Sequence, residues 1–165
     1  MNLGAREARG DLLWFLHADC RPDKRVFSAI RRAASRACAG AGGLAGAFSF
    51  EVDSNGLSYR PLVWGVALRN LLFRLPYGDQ GIFISRARFL AMGGYRELPF
   101  MEDVEFALRL RRTSCFRILP ERLSSSPRRW EKGGLFRRSL LNVWLVLAYL
   151  AGASPETLAT RYRSH

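Results

Sequence analysis

Lysine is nearly missing from this sequence: of its 26 basic residues only Lys24 and Lys132 are lysines, and the rest are arginines. Acids are also scarce, 14 in all, which leaves a formal net charge of +12. An arginine-rich surface favours polyanions, nucleoside diphosphates or an anionic membrane face. The planar guanidinium fork matches phosphate with two parallel hydrogen bonds. Cysteine is limited to Cys20, Cys38 and Cys115, an odd number, far apart and without a CxxC pair. That argues against a disulfide framework or a thiolate zinc site, and a reducing cytoplasm is the expected compartment. Met1 to Gly10 is polar and basic, so no secretory signal is expected there. The longest apolar run, Leu140 to Gly152, contains Asn142 and falls short of the ~20 residues a spanning helix needs. It reads as a core helix.

What is present is enough for one domain. The 165 residues are 48% hydrophobic and 12% aromatic, so a packed core is expected and wholesale disorder is not. The first ten residues, "MNLGAREARG", read as a helix end followed by a turn at Gly10. Asp11 to Ala18 reads as a strand, and its continuous apolar run suits an interior strand covered on both faces. A helix follows from Pro22–Asp23, with Val26, Phe27, Ile30, Ala33, Ala34 and Ala37 at helical spacing and "AGAGG", Ala39 to Gly43, at its end. "LAGAFSFEV" is a strand candidate before a turn at Asp53 to Gly56. Leu62 to Arg74 has helical spacing, "IFISR" is a short strand, and a helix starts near Arg86 and ends at Gly93–Gly94. "ELPFMEDVEFALRLRRT" carries a helix with acids in front and arginines behind, the order a helix dipole favours. "FRILP" is a last short strand, "SSSPRRWEKGG" a loop, and two helical stretches close the chain. Strands alternating with helices predict an α/β domain with a mostly parallel sheet of about four strands.

Four stretches could carry chemistry. Ligands of open α/β sheets collect at the carboxyl ends of strands, where Asp19 is expected. A carboxylate there can hold a hard divalent cation that neutralises a diphosphate. His17 shares its face, although Asp19 could equally cap the turn before the helix. "MEDVEF" groups Glu102, Asp103 and Glu105 in a helical first turn, as dipole complement or, beside apolar Met101 and "ELPF", as a general base. "PYGDQG" sets two glycines around Asp79 and Gln80, which lets backbone approach a ligand while the acid and amide supply directional bonds. In "SSSPRRWEKGG" two arginines and a tryptophan suit a phosphate and a stacked ring, or simply form a solvated basic loop.

In this order, "FLHADCRPD", "YGDQGIFISR", "GGYRELPFMEDVEFALRLRR" and "SSSPRRWEKGG" resemble the family 2 glycosyltransferases of GT-A fold. The subgroup most resembled is the bacterial one named for arsenosugar biosynthesis. The resemblance runs from Asn2 to the C-terminal helices and implies a nucleotide-diphospho-sugar transferase fold with a C-terminal helical extension. It implies inverting transfer of a sugar from a nucleotide-diphospho-sugar to an acceptor hydroxyl. His17-Ala18-Asp19 matches the Asp-x-Asp element that holds Mg²⁺ or Mn²⁺ on the donor diphosphate. With His17 in the first position, Asp19 is the expected metal ligand and His17 a donor-side contact. Asp103 matches the base that deprotonates the acceptor, and Glu102 positions that hydroxyl or the donor. Gly78, Asp79, Gln80 and Gly81 lie where the family contacts acceptor and donor. Arg128, Arg129 and Trp130 resemble the element that closes over the diphosphate.

Family members begin with a strand-helix-strand segment for the base and ribose that is not found here. The resemblance therefore implies an N-terminally truncated chain of low activity, one glycosyltransferase domain over residues 1–165. Residues 1–131 would form its α/β catalytic part and residues 132–165 its C-terminal helices. The central expectation is that Asp19 and Asp103 meet across one cleft.

Two rivals are of other classes. One is a basic, non-enzymatic module for nucleic acid or acidic lipid, built on "RRAASR" and "RLRRTSCFR"; acids converging on a cleft would speak against it. The other is a peripheral membrane contact through Leu135 to Tyr149, with Arg137 and Arg138 beside the headgroups. The latter is compatible with an enzyme whose acceptor is lipid-linked.

Overall fold

The computed structural model describes residues 1–37, 44–54, 56–113 and 116–163. Cys38, Cys115 and the Ala39 to Gly43 segment lie outside them, as does Asn55 of the expected turn. The strands are β1 (Leu12–Trp14), β2 (Cys20–Arg21), β3 (Ala45–Val52), β4 (Phe83–Ser85) and β5 (Phe116–Ser125). The helices are α1 (Asn2–Glu7), α2 (Lys24–Ala37), α3 (Arg60–Phe73), α4 (Arg86–Ala91), α5 (Glu102–Leu110), α6 (Arg128–Gly133), α7 (Leu135–Leu150) and α8 (Pro155–Arg163). The five strands form one open sheet in the order β1-β4-β3-β5-β2. The α/β expectation holds at that level.

The expectation of a mostly parallel sheet does not. Among the described residues only β3 and β5 pair in parallel; β1 with β4, β3 with β4, and β2 with β5 are antiparallel. A helix between two strands reads in sequence as a parallel crossover. Here α3 is followed by the buried turn Gly78–Gln80, and the chain leaves it running against β3. β1 is likewise an edge strand of three residues rather than an interior strand of eight. Its apolar run reflects cover on both faces of that edge. Trp14 packs edge-on to Phe27 of α2, with ring centroids 5.3 Å apart, while Phe15 packs against Phe89 and Tyr95.

β5 is longer than the expected "FRILP" and absorbs the first serines of the presumed loop. It tolerates Pro120 because pairing with β3 jumps from Phe48↔Leu119 to Ser49↔Arg122, leaving Pro120 and Glu121 unpaired. Proline lacks an amide donor and is accommodated in strands at such irregularities. The Ser49 hydroxyl donates to Leu119 O at 3.0 Å and bridges the gap.

Helices cover both sheet faces. α2 starts where Asp23 Oδ1 accepts the Val26 amide at 2.9 Å, an N-cap bond. It buries Val26, Ala29 and Ile30 against Phe48, Phe83 and Leu123, leaving Phe27 half outside the core. On the opposite face Phe89, Tyr95, Phe106 and Leu110 pack on Leu13, Ala47, Ile84 and Phe116. α7 and α8 pack Leu145, Val146 and Leu158 on Met101, Val104 and Ala107 of the α5 region. Among the described residues no helix is long and apolar enough to cross a membrane.

Candidate active site

Three segments that are distant in sequence meet at one place. The first is the turn after β1. Its closure is the hydrogen bond from the Cys20 amide to His17 O at 3.0 Å, which puts Asp19 at the third position of a β-turn. Leu16 and Ala18 are exposed while His17 and Asp19 are half-buried; β1 ends at Trp14, so the strand alternation from which a common face was expected does not extend to these two residues. The Asp19 carbonyl accepts the Ser126 amide at 3.0 Å, which ties this turn to the end of β5 and to the start of α6.

The second segment is the Gly78–Gln80 turn. Glycine at 78 lets His17 lie close, because a Cβ there would be 2.3 Å from His17 Nε2 and the ring would have to shift. The imidazole and the glycine are therefore in contact. The Cys20 thiol donates to Asp79 O at 3.5 Å, a second link between the two turns. Gly81 has φ +61, and a Cβ there would meet Leu123 at 2.7 Å, so both glycines of "GDQG" serve close approach.

The third is the start of α5. Met101 sits at φ +65 although it is not glycine, a costly conformation for a bulky residue that occurs where surroundings dictate it. It turns the chain sharply so that Glu102 and Asp103 open the helix. Asp103 Oδ2 accepts the Gly78 amide at 2.8 Å, and Oδ1 accepts the Val104 amide at 2.8 Å. An ionised carboxylate offers about four acceptor sites; two are used here, and Asp103 is only half-buried. It can take a further hydrogen bond or a proton from a ligand.

Other expected residues are placed differently. Gln80 is 0% exposed: its amide donates to Phe48 O at 2.8 Å, and its oxygen accepts from Arg69 at 2.7 Å and from the Tyr77 amide. It shapes the turn from inside rather than reaching outward to a substrate. Glu105 parts company with its two neighbours. It is buried and paired with Arg109, whose guanidinium also donates to Met92 O and Gly94 O and so pins the loop before α5. Trp130 is 6% exposed and packs edge-on against Phe50, with ring centroids 5.7 Å apart. The ring belongs to the packing between β3 and α3 rather than lying open as a lid. Arg128 is exposed at the start of α6; the side chain of Arg129 lies outside the described residues. The expected loop "SSSPRRWEKGG" is thus a strand end and a helix.

Sequence reasoning missed Arg69 and Tyr77 as site residues. The Arg69 guanidinium stacks 3.4 Å from the Tyr77 ring centroid and braces the turn through Gln80. The signal was available, since Arg69 is the one charge in the apolar run "PLVWGVALRNLLF". Burial pushes the Tyr77 phenol above its ordinary range; Arg69 opposes that, and Asp103 and Asp79 add to it. Tyr95 is pushed far up by burial, then by Asp103 and Glu102, against Arg109. Both phenols stay protonated donors near neutrality.

Among the described residues no three His, Cys, Asp or Glu side chains cluster as a metal site. Mg²⁺ is often held by one or two carboxylates with substrate phosphates and water completing the shell. A cation held by protein side chains alone has no such set among the described residues. Compared with protein-family models, curated proteins and solved structures, the chain matches none.

Proposed function

We propose that this chain is the catalytic part of a GT-A-type family 2 glycosyltransferase that transfers a sugar from a nucleotide-diphospho-sugar to an acceptor hydroxyl with inversion. The observation that carries the reading is the contact of His17 and Asp103 with the same glycine, Gly78. It joins the His-x-Asp turn, the "GDQG" turn and the Glu-Asp helix start, the three elements on which the resemblance rests.

Inverting transfer needs a nucleophile on one side of the anomeric carbon and a stabilised leaving group on the other. Asp103, with two backbone donors fixing its orientation, receives the acceptor hydroxyl proton. The acceptor oxygen bonds to the anomeric carbon as the bond to the diphosphate oxygen breaks, and the electron pair leaves with the diphosphate. Glu102, the preceding residue, orients the hydroxyl. Arg128, two residues beyond the Ser126–Asp19 hydrogen bond and exposed, would meet the departing charge. Mg²⁺ or Mn²⁺ bound between Asp19 and the donor would supply charge neutralisation of that diphosphate. Asp103 and Asp79 both act on Tyr77, and acids at this turn disfavour the rival reading as a polyanion-binding module.

The test is release of nucleoside diphosphate from a panel of nucleotide sugars, with and without Mn²⁺, comparing the chain with Asp103→Asn. The substitution should lower release by about 10²–10⁴-fold, the usual worth of a general base. Equal turnover by the two proteins would remove Asp103 from the mechanism.

A further inference from the structure

α3 and α7 turn apolar residues outward and toward each other. Leu72 on α3 is 62% exposed and Leu140 on α7 is 70% exposed. Between the helices lies an open cleft of about 520 Å³, within the size range of small-ligand sites. Leu68 and Leu72 of α3 face Phe136, Leu140, Val143 and Leu147 of α7 across it, and all six remain largely exposed. Soluble chains rarely display so continuous an apolar surface without a partner.

Charge indicates which partner. Neither helix contains an acid, and Arg60 and Arg137 are exposed on them, whereas Arg69 and Arg138 are engaged by Gln80 and Tyr162. The Arg161 guanidinium sits 5.0 Å from the Trp144 ring on the flank of α7. Apolar residues with tryptophan beside arginine suit the boundary of an anionic bilayer. Gly65 adds a separate sign. It lies mid-helix on the cleft wall, where glycine weakens a helix, and a Cβ there would meet nothing within 4 Å. The wall is recessed where a chain would lie.

We propose that the cleft between α3 and α7 binds the hydrocarbon chain of an anionic membrane lipid. Tyr77 and Asp79 belong to both the cleft wall and the candidate active site, so a seated chain reaches the Gly78–Gln80 turn. The assignment goes beyond sugar transfer and does not depend on it, because it rests on the cleft and the charge around it and on no catalytic step.

The probe is cis-parinaric acid, a linear polyene carboxylate that brightens in apolar surroundings, added below its micelle concentration to the full chain. Saturable one-site binding is expected, displaced by dodecyl phosphate. Gly65→Phe fills the recess and should weaken binding at least 10-fold, with helix content unchanged by circular dichroism. Leu140→Glu, at an exposed position that should tolerate it, should weaken it as well. Sedimentation with phosphatidylglycerol vesicles, and not with phosphatidylcholine vesicles, is expected and should fall in Leu140→Glu; equal sedimentation with both vesicle types overturns the anionic assignment. Absent or unsaturable probe binding, or unchanged affinity in both variants, overturns the proposal. So does a dimer in sedimentation equilibrium that Leu140→Glu dissociates, since a second copy would then cover the cleft.

Discussion

His17 and Asp103 lie far apart in the chain, yet both rest on Gly78: the imidazole contacts its α-carbon and the carboxylate accepts its amide at 2.8 Å. The missing side chain leaves room for the imidazole beside the amide that Asp103 holds. Gly78→Ala puts a methyl group 2.3 Å from His17 Nε2, and the ring must swing away. Stability should fall by about 1–2 kcal/mol, as for modest overpacking, measured by urea unfolding. His17→Ala combined with Gly78→Ala should recover most of that loss, because the clash is gone.

The Glu105–Arg109 pair offers a second check. Arg109→Met leaves a buried carboxylate facing only the exposed Arg96 at 3.1 Å, and frees the Met92 and Gly94 carbonyls. A loss of about 3 kcal/mol is expected for breaking a buried pair from one side. Glu105→Leu added to Arg109→Met should be less harmful than Arg109→Met alone. The readout is the denaturant midpoint at constant slope.

Alkaline pH should reveal Tyr95. Its folded-state pKa lies above the unfolded value of 10.0, mainly through burial. The stabilisation is complete below pH 10.0 and is lost as pH rises from there toward the folded value, because the unfolded phenol ionises first. Tyr77 contributes in the same direction. Stability followed from pH 9 to pH 11 should therefore decline, and the decline should be shallower in Tyr95→Phe. Equal slopes in both proteins would place the effect elsewhere.

Trp130 separates packing from ligand contact. Trp130→Ala opens a void beside Phe50, Val52 and Val66 and should cost about 3–5 kcal/mol. Trp130→Phe should retain most stability and, if the ring serves packing alone, leave nucleotide-sugar affinity unchanged. A selective loss of affinity in Trp130→Phe would instead return the ring to the binding surface.

How far the sequence could be read depended on whether the signal was local. α2, with Asp23 as cap and Val26 and Ile30 as stripe, and α5, with acids leading and arginines trailing, carry their evidence within one or two turns. The direction of β4 does not, since it is decided by how the Gly78–Gln80 turn packs under Phe48 through Gln80. β1 misled for a related reason: apolar residues on both faces record what covers a strand, not how many strands flank it. In the candidate site, "GDQG" is visible as two glycines around polar residues. Which polar side chain turns inward is settled by Arg69, and no spacing rule joins that residue to Gln80.

The parallel pairing of β3 with β5 also governs how the molecule comes into being. β5 is the strand that holds both β3 and β2, and its last residue, Ser125, follows some seventy positions after β3 ends. During synthesis the first two-thirds of the chain must wait with the flank of its longest early strand unpaired. Closing so distant a contact is slow compared with forming helices. The pairing that joins β2 to the rest of the sheet thus waits on the same ten residues that deliver Ser126 to the Asp19 turn.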